Sequence, residues 1–527
     1  MKTKLQRGVG AALAAGAVTA LATAPALAEQ PGTTETMSPS TSTPPYVVPV
    51  AGGVRTTSLL TVGESVDGYR MVGIPDGLGA YRNDGNSLTL VMNHELRDTQ
   101  GVARRHGQPG AFVSEWSIDR KSLEVTRGED LINPGIQYWD YLQSQFSLTP
   151  NGAGVRADGK AFAAFSPTMS RFCSNTLSDP GQLFNEETGN GYEGQLFFPN
   201  EENGDRGRGF ALTMDGQLYQ LPRLGLFSWE NTIPAHNQSD TTLVMGQEDA
   251  ADGQIWLYEG TKTNSGSAID KAGLTNGANY VAAVAGATTD KQFRDNFGKN
   301  NPQRFTPSEV DWDQEGGPQN AEAKADGITL NRIEDGAFDP SNPNDFYFLT
   351  TEGGKGADTP TNFYGRDGGG LWRMRFDDIE NPQAGGTLTL LLDGSEAPYF
   401  NKPDNMTIDG NGNLLIQEDP GNNVSVARIV AYRIADGARG VVAQFDPALF
   451  GWKGAKLANG NPLVEAGQIT LDEESSGIID AHSTIGPRWF LFDAQVHKAN
   501  PDPELVEEGQ MLALHVDRWQ DVYDIEG

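Results

Sequence analysis

The chain has 527 residues, with 70 Asp and Glu against 39 Lys and Arg, and its formal net charge at pH 7 is −31. This charge provides no basic surface for nucleic-acid phosphates or anionic lipids, and it favours divalent cations as ligands. The single cysteine excludes an intramolecular disulfide framework and any zinc site of the CxxC type.

The N-terminal residues have the pattern of a secretory signal peptide. Two lysines and an arginine within the first seven residues precede an Ala-rich apolar stretch over residues 9–21, and a small-residue site follows at 26–28. The apolar stretch is too short for a membrane helix, and no later stretch reaches the roughly 18 residues that a span needs. We predict a signal peptide over residues 1–28, a secreted or periplasmic protein and no membrane span.

The remainder of the chain is expected to form one domain. Residues 29–45 are rich in Ser, Thr and Pro, which predicts a disordered tether. From residue 46 to 527 no linker or block of charge marks a boundary. With 64 Gly and 30 Pro in the chain, this region is turn-rich, and we interpret it as a single body.

A hairpin pattern recurs along this body. Each copy has a short β-branched or aromatic run that ends in a carboxylate or His, then a loop, and in most copies a second run; the copies lie at 88–95, 241–258, 346–374, 413–432 and 489–515. Helical periodicity is scarce. Repeated hairpins at irregular spacing over this length predict an all-β protein, a β-propeller with long loop insertions.

Carboxylates recur at the ends of these runs. In a propeller, equivalent strand ends meet at one mouth of the central channel, so the pattern predicts a ring of negative charge there. Crowded carboxylates need protons, water or cations, and oxygen-rich clusters suit Ca²⁺. Each carboxylate taken singly could equally be an ordinary turn residue.

The chain resembles the PhoX family of secreted alkaline phosphatases. The resemblance depends on motifs that occur in this order over residues 50–520: Asn93-His94-Glu95, Cys173, Glu201-Glu202-Asn203, residues 224–231, Glu248-Asp249, Arg332-Ile333-Glu334, Asp404-Asn405, residues 417–420 and residues 473–477. It implies a six-bladed propeller that holds ferric iron and calcium and hydrolyses phosphate monoesters. It also implies small phosphate esters as substrates; we expect a monomer that binds no nucleic acid.

The resemblance also implies roles for individual residues. Cys173 becomes a thiolate ligand of iron, Glu230 and Glu334 become carboxylate ligands of iron, and Arg332 becomes the phosphate-binding guanidinium. The candidates for the calcium shell or its support are Asn93, Glu95, Glu202, Glu248, Asp249, Asp404, Glu418 and Asp419. A thiolate and carboxylates suit Fe³⁺, and arginine offers a bidentate fork to phosphate oxygens.

The residues alone leave other interpretations open. Cys173 could be a buried core residue, and Arg332 with Glu334 could be an ordinary ion pair. The protein could also be a calcium-dependent hydrolase of a phosphodiester, phytate or lactone, or a calcium-stabilised surface propeller without activity. Serine catalysis is disfavoured because the chain has no G-x-S-x-G motif.

Overall fold

The computed structural model describes residues 34–83, 85–354, 367–421, 425–454, 456–457 and 463–524. The predicted signal peptide lies outside these ranges. Within them most of the regular secondary structure is strand and only short helices occur, which confirms the all-β prediction. No helix in the described ranges has both the length and the apolar character needed to cross a membrane.

The strands are numbered in chain order. The first nine are β1 (Thr34–Met37), β2 (Val47–Pro49), β3 (Val54–Thr61), β4 (Ser65–Val66), β5 (Tyr69–Arg70), β6 (Pro75–Arg82), β7 (Ser87–His94), β8 (Phe112–Asp119) and β9 (Val125–Asp130). The next nine are β10 (Tyr138–Asp140), β11 (Gln145–Ser147), β12 (Gly154–Val155), β13 (Ala161–Phe162), β14 (Leu183–Asn185), β15 (Asn190–Tyr192), β16 (Leu196–Phe197), β17 (Phe210–Thr213) and β18 (Leu218–Gln220).

The C-terminal part contains longer strands and the helices. Its strands are β19 (Trp229–Pro234), β20 (Thr241–Glu248), β21 (Ile255–Thr261), β22 (Ala278–Val284), β23 (Gln303–Val310), β24 (Ile333–Asp339), β25 (Asn342–Thr350), β26 (Gly370–Phe376), β27 (Gly386–Leu392), β28 (Pro403–Ile408), β29 (Asn413–Glu418), β30 (Arg428–Arg433), β31 (Arg439–Phe445), β32 (Glu473–Asp480), β33 (Trp489–Ala499) and β34 (Glu507–Val516). The helices are α1 (Ala268–Lys271), α2 (Asp290–Asn296), α3 (Gly316–Asp326) and α4 (Trp519–Tyr523).

The main sheets divide into six consecutive strand groups within the described ranges. In chain order they are β6–β9, residues 172–177 with β16–β18, β19–β22, β24–β27, β28–β31, and β32–β34 with β3. Neighbouring strands in each group are antiparallel, and β23 joins the third group to the fourth by pairing with β27. A propeller with six blades requires six such groups, and the number of blades stays a prediction that this grouping supports.

The first strands of the groups surround a common channel. β6 contacts β32, β32 contacts β28, β28 contacts β24, and β24 contacts β19. One cavity is lined by a residue from the first strand of every group: Leu78, Leu177, Ile233, Ala337, Thr407 and Ile479. This arrangement of sheets about a channel is that of a β-propeller, as the sequence predicted.

The second strand of a group is buried on both faces. Leu90 of β7 packs in one core cluster with Leu491 of β33, whereas the adjacent Val91 packs in another with Phe197 of β16. A strand covered by two neighbouring sheets needs apolar side chains on both faces. This is why the predicted runs are continuously apolar and do not alternate with polar residues.

The chain closes through its two ends. The N-terminal strand β3 pairs with the C-terminal β34, so the last group contains strands from both ends. Part of the segment predicted as a disordered tether is also packed here: β1 pairs with β3, and the buried Ser38 donates a hydrogen bond to the carbonyl of Leu59 at 2.8 Å. Pairing with an existing sheet edge satisfies the backbone groups of this polar segment, which its composition does not indicate.

Candidate metal centre

Two sets of equivalent positions lie at one end of the strand groups. In every group, the N–H of a residue at the end of the second strand donates to a carbonyl at the start of the first strand, at 2.9–3.0 Å. The residues that donate, which we call the second ring, are Glu95, Glu202, Asp249, Thr351, Asp419 and His497. The first ring is the set of residues that lie two positions after each residue whose carbonyl accepts. Its members are Asp76, Cys173, Glu230, Glu334, Asp404 and Glu474.

The first ring is positioned by β-bulges. Four first strands, β6, β19, β24 and β28, have a shift in pairing register that begins at the first-ring residue. The last regular pair before the shift is formed by the residue directly before it in the chain. A bulge adds one residue to one strand, bends it and redirects its side chains. The repeated bulge therefore presents an acidic side chain at the same place in each of these four strands.

Two groups of buried side chains have the geometry of metal-binding clusters. One contains Asp76, Glu95 and Cys173, and the other contains Glu230, Glu334 and Asp404; within each group the potential ligand atoms lie within 4.8 Å of one another. The clusters adjoin, because the Cys173 thiol donates to Glu230 Oε2 at 3.0 Å. Five of these six residues belong to the first ring.

Burial and mutual repulsion disfavour the charged forms of these groups. Burial, followed by the charge of Glu95, raises the pKa of Asp76 well above its usual value. Burial and the charges of Asp249 and other carboxylates raise the pKa of Glu334 to about 8. Burial and the nearby carboxylates of Asp76 and Glu230 likewise raise the pKa of the Cys173 thiol. Cations among these groups would relieve the repulsion and favour the ionised forms.

The oxygen and sulfur atoms of these side chains suit a metal centre. Asp76 Oδ2, Glu230 Oε1 and Asn93 Oδ1 are buried and have no hydrogen-bond partner in the structure. Buried polar atoms are normally satisfied, so these oxygens are available as ligands. Carboxylate and carbonyl oxygens suit calcium, and the combination of a thiolate with carboxylates is compatible with ferric iron.

Arg332 lies beside the second cluster. Its Nε and Nη2 donate to the two carboxylate oxygens of Asp249 at 2.8 and 2.9 Å, and its Nη2 lies 3.2 Å from Glu334 Oε1. The charge of Glu334 raises the pKa of Arg332 further, so the guanidinium is always charged. Its side chain remains 26% exposed. Arg332 is thus a fixed cation at the border between the buried carboxylates and solvent.

Arg171 occupies the same position in the second strand group. Its Nε donates to Glu95 Oε1 at 2.7 Å, and its Nη2 forms a salt bridge with Glu202. Burial raises the pKa of Glu202, and the charge of Arg171 opposes this shift. Arg171 therefore links two second-ring carboxylates, both of which the sequence analysis predicted as metal ligands or their support.

The structure separates two predicted ligands from the clusters. Glu248 accepts hydrogen bonds from Trp256 Nε1 at 3.1 Å and from the Gln254 N–H at 3.0 Å. Glu418 accepts from Arg428 Nε at 2.8 Å and from the Asn401 N–H at 2.8 Å. Glu248 directly precedes Asp249, and Glu418 directly precedes Asp419. Because side chains alternate along a strand, the carboxylates of Glu248 and Glu418 lie on the opposite face from those of the two second-ring residues.

The other predicted residues lie at or beside the clusters. Asn93 donates to the Cys173 carbonyl at 2.6 Å and so supports the loop that holds the thiol. Burial and the charge of Glu474 raise the pKa of Asp419 to about 7, while His497, Arg332 and Lys402 lower it. Asp419 therefore belongs to the same field of charges as Arg332.

Sequence reasoning missed Asp76 and Glu474. The carboxylates that stand out in the sequence follow the long apolar runs, which are the second strands, whereas most residues of the two clusters lie at the starts of the first strands. A signal for Asp76 was present: Pro75-Asp76-Gly77 and Pro403-Asp404-Asn405 both have a Pro-Asp step before a turn-forming residue. Glu474 had been noted only within the motif at 473–477.

The fold and these clusters define a β-propeller with candidate acidic metal-binding sites in its channel. Residues 215–448 match the family model described as alkaline phosphatase PhoX. This range includes Arg332 and Glu334 and leaves Cys173 outside. No curated protein matches the chain in sequence.

Among solved structures, the chain is similar to Pseudomonas fluorescens PhoX in complex with vanadate, a transition state analogue. The two are 13% identical with a TM-score of 0.59, and the match covers 89% of this chain and 97% of that chain. A gluconolactonase from Xanthomonas campestris is 11% identical, with a TM-score of 0.30 and coverage of 89% and 97%. The NanB sialidase of Streptococcus pneumoniae is 9% identical, with a TM-score of 0.37 and coverage of 88% and 70%.

The last two similarities are too weak for any argument. The match to Pseudomonas fluorescens PhoX confirms the propeller fold. The family model confirms the resemblance identified in the sequence and supports a phosphatase of the PhoX type.

Proposed function

We propose that the protein is a metal-dependent phosphatase of the PhoX type that hydrolyses phosphate monoesters. The observation that carries this proposal is the position of Arg332, which is held by Asp249 at the border of a buried cluster containing Glu334. A fixed guanidinium beside a cation site is the arrangement that binds and neutralises a phosphoryl group.

The proposed metals are ferric iron and calcium. Cys173, Glu230 and Glu334 would hold iron, because the thiol already contacts Glu230 and a thiolate with carboxylates suits Fe³⁺. Asp76, Glu95, Glu202 and Asp404 would supply oxygens to calcium. When bound, the metals would supply Lewis acidity and lower the pKa of water for attack on phosphorus.

The chain's own residues have complementary tasks. Arg332 donates hydrogen bonds to phosphoryl oxygens, and Asp249 fixes the plane of its guanidinium through two hydrogen bonds. Thr351 Oγ1 donates to Glu334 Oε1 at 2.6 Å and orients that carboxylate. Arg171 holds Glu95 and Glu202 against their mutual repulsion. An anionic substrate can approach this acidic protein only where these cations and the metals outweigh the carboxylates.

Elemental analysis and a hydrolysis assay test the proposal. Protein purified without chelator should contain iron and calcium and release phosphate from p-nitrophenyl phosphate, and chelator-treated protein should be inactive. Calcium without iron, together with hydrolysis of a different ester, would contradict the assignment. Calcium with no turnover of any ester would indicate a structural propeller.

We also propose a secreted or periplasmic monomer that acts on small phosphate esters and binds no nucleic acid. The net charge of −31 supports the last point. Sequencing the N-terminus of the exported protein and measuring its mass in solution by light scattering would test this part of the proposal.

A further inference from the structure

Four of the six residues that lie two positions before the first ring share an unusual backbone conformation, and the other two, Ser228 and Asp472, do not. Ile74, Arg171, Arg332 and Lys402 have φ values of 51°, 50°, 55° and 53°. Residues other than glycine rarely adopt positive φ, and such conformations persist only where the surrounding structure imposes them. Ile74 shares the conformation without a charge, so the backbone geometry belongs to the repeated fold and the side chain at this position is a separate feature.

Three of these four positions carry a cation in a protein with a net charge of −31. Arg171 and Arg332 are 32% and 26% exposed, and Lys402 is partly exposed as well. Their carbonyls accept from the N–H groups of Glu202, Thr351 and Asp419 at 2.9, 2.9 and 3.0 Å. The three cations therefore occupy equivalent places beside the second ring, and we call them the cation rim.

The two arginines use the same kind of partner. Each binds the second-ring carboxylate of the preceding strand group: Arg171 binds Glu95, and Arg332 binds Asp249. For Lys402 the equivalent second-ring residue of the preceding group is Thr351. The Thr351 hydroxyl directs its proton toward Glu334 Oε1 and the Pro403 carbonyl, and it carries no negative charge to pair with the Lys402 ammonium.

Lys402 therefore differs from the two arginines, because the second-ring residue of its preceding strand group is not a carboxylate. Arg332 and Lys402 lie two residues before Glu334 and Asp404, which belong to the same cluster on the contacting strands β24 and β28, so the two cations lie beside one cluster. A lysine is a compact charge with three donors on a flexible stem, which suits an anion whose position varies between substrates.

We propose that Lys402 is a specificity-determining residue that binds a second anionic group, a carboxylate or another phosphate, on substrates whose phosphoryl group is bound at Arg332. The inference rests on the proposed function for the role of Arg332. It implies that substrates with two anionic groups are preferred over matched substrates with one.

Kinetics on matched substrates test this inference. Glycerol 2-phosphate and 2-phosphoglycerate differ by a carboxylate, and fructose 6-phosphate and fructose 1,6-bisphosphate differ by a phosphate. In the wild type, kcat/KM should be about tenfold higher for the more anionic member of at least one pair, the effect of one charge-assisted hydrogen bond. The pair that shows the preference identifies the anion.

Two variants and a control separate Lys402 from general electrostatics. Lys402→Gln should abolish the preference by raising KM for the more anionic substrate, while changing kcat/KM for the other member by less than about threefold. Lys402→Arg should retain the preference. Arg127→Gln, which removes an exposed cation of β9, should leave the preference for the more anionic substrate unchanged. An equal loss on both members of a pair, or a preference that survives Lys402→Gln, would overturn the inference.

A binding measurement makes the inference independent of turnover. Calorimetry with phosphonoacetate and ethylphosphonate, which are not hydrolysed, should show about tenfold tighter binding of phosphonoacetate to wild-type protein if a carboxylate is the second anion, and no difference with Lys402→Gln. If the wild type binds phosphonoacetate preferentially through Lys402 but hydrolyses no monoester, the proposed function fails and the rim assignment stands. If monoesters are hydrolysed without any preference, the function stands and this inference fails.

Discussion

At the scale of single residues, neighbours in the chain have different tasks at this centre. Asp249 holds Arg332, whereas Glu248 beside it is bound by Trp256 and a backbone N–H. The same division holds between Asp419 and Glu418. Strand alternation turns one carboxylate of each pair toward the clusters and the other away.

The lone cysteine provides the first test at this scale. We expect Cys173→Ser to lower iron content and activity together, because a hydroxyl is a far weaker ligand for iron than a thiolate. Iron content and kcat/KM for p-nitrophenyl phosphate should be measured on the same samples, with circular dichroism as a check of folding. Full iron content with unchanged turnover would show that Cys173 is a core residue.

The arginine and glutamate of the second cluster should separate catalysis from metal binding. Arg332→Lys should keep the metals and reduce kcat/KM roughly ten- to a hundredfold, the loss of about 1.5–3 kcal/mol from one charge-assisted hydrogen bond. Inhibition by inorganic phosphate should weaken in parallel. Glu334→Gln should lose both metal and activity, since a carboxamide is a weak ligand for a hard cation.

The exposed Arg127 offers a matched control for the first of these variants, and Arg127→Lys should behave as wild type. If Arg332→Lys has wild-type turnover and phosphate inhibition, the Arg332–Glu334 contact is an ordinary ion pair without a catalytic role. Retention of metal by Glu334→Gln would remove Glu334 from the proposed ligands.

At the scale of elements, bulges in the first strands and the closely packed second strands act together. The bulge directs a candidate ligand toward its cluster, and the second strand buries polar groups that a shorter or more exposed strand would leave in water. Glu248 at the end of β20 is an example: burial raises its pKa to about 7, although two hydrogen bonds oppose the shift.

This shift predicts a pH dependence of stability. A carboxyl whose pKa is raised on folding retains its proton in the native state while the unfolded state loses it, so stability falls as pH rises from about 4.5 to about 7 and is not recovered above that. Glu248→Gln should remove this contribution. The free energy of unfolding from urea titrations should therefore fall less between pH 5 and pH 8 in the variant, by on the order of 1–3 kcal/mol.

Wild type and Glu248→Gln should both be loaded with metal, so that titration of the clusters does not contribute to the difference in their free energies of unfolding. An identical pH profile in wild type and variant would show that Glu248 is ionised at no cost in the folded state.

At the scale of the whole molecule, cations should stabilise the propeller. First-ring carboxylates from several strand groups meet in the channel, and without cations they repel one another. A ligand that binds only the folded state stabilises it by about 2.7 kcal/mol at a hundredfold excess over its dissociation constant. We therefore expect EGTA to lower both Tm and activity, and added calcium to restore them.

The loss of Tm on chelation should grow as pH rises toward about 8, the pKa of Glu334, because more of the repelling carboxylates are then ionised in the metal-free protein. Scanning calorimetry at several pH values and low ionic strength checks this. The same Tm with and without EGTA at every pH would mean that the carboxylates need no cation.

Much of the fold and part of the centre could be predicted from the amino-acid sequence. The apolar runs identified hairpins because second strands buried on both faces must be apolar, and this is a local property of the sequence. Cys173, Glu230, Glu334, Asp404 and Arg332 were found through the ordered motifs, and the structure places all five at the clusters or beside them.

What the tertiary structure alone decided is which carboxylates meet. Asp76 and Glu95 come from one hairpin and Cys173 joins them from the next strand group, a contact that no local pattern in the sequence indicates. Glu248 and Glu418 were indistinguishable by sequence from Asp249 and Asp419, because the side of a strand that faces the channel depends on its register against the neighbouring strand. Register and bulges within each hairpin set the direction of a carboxylate, and the packing of first strands from different groups around the channel decides which carboxylates meet. The sequence by itself therefore determined the hairpins and the candidate ligand types, and contacts between strand groups decided the composition of the centre.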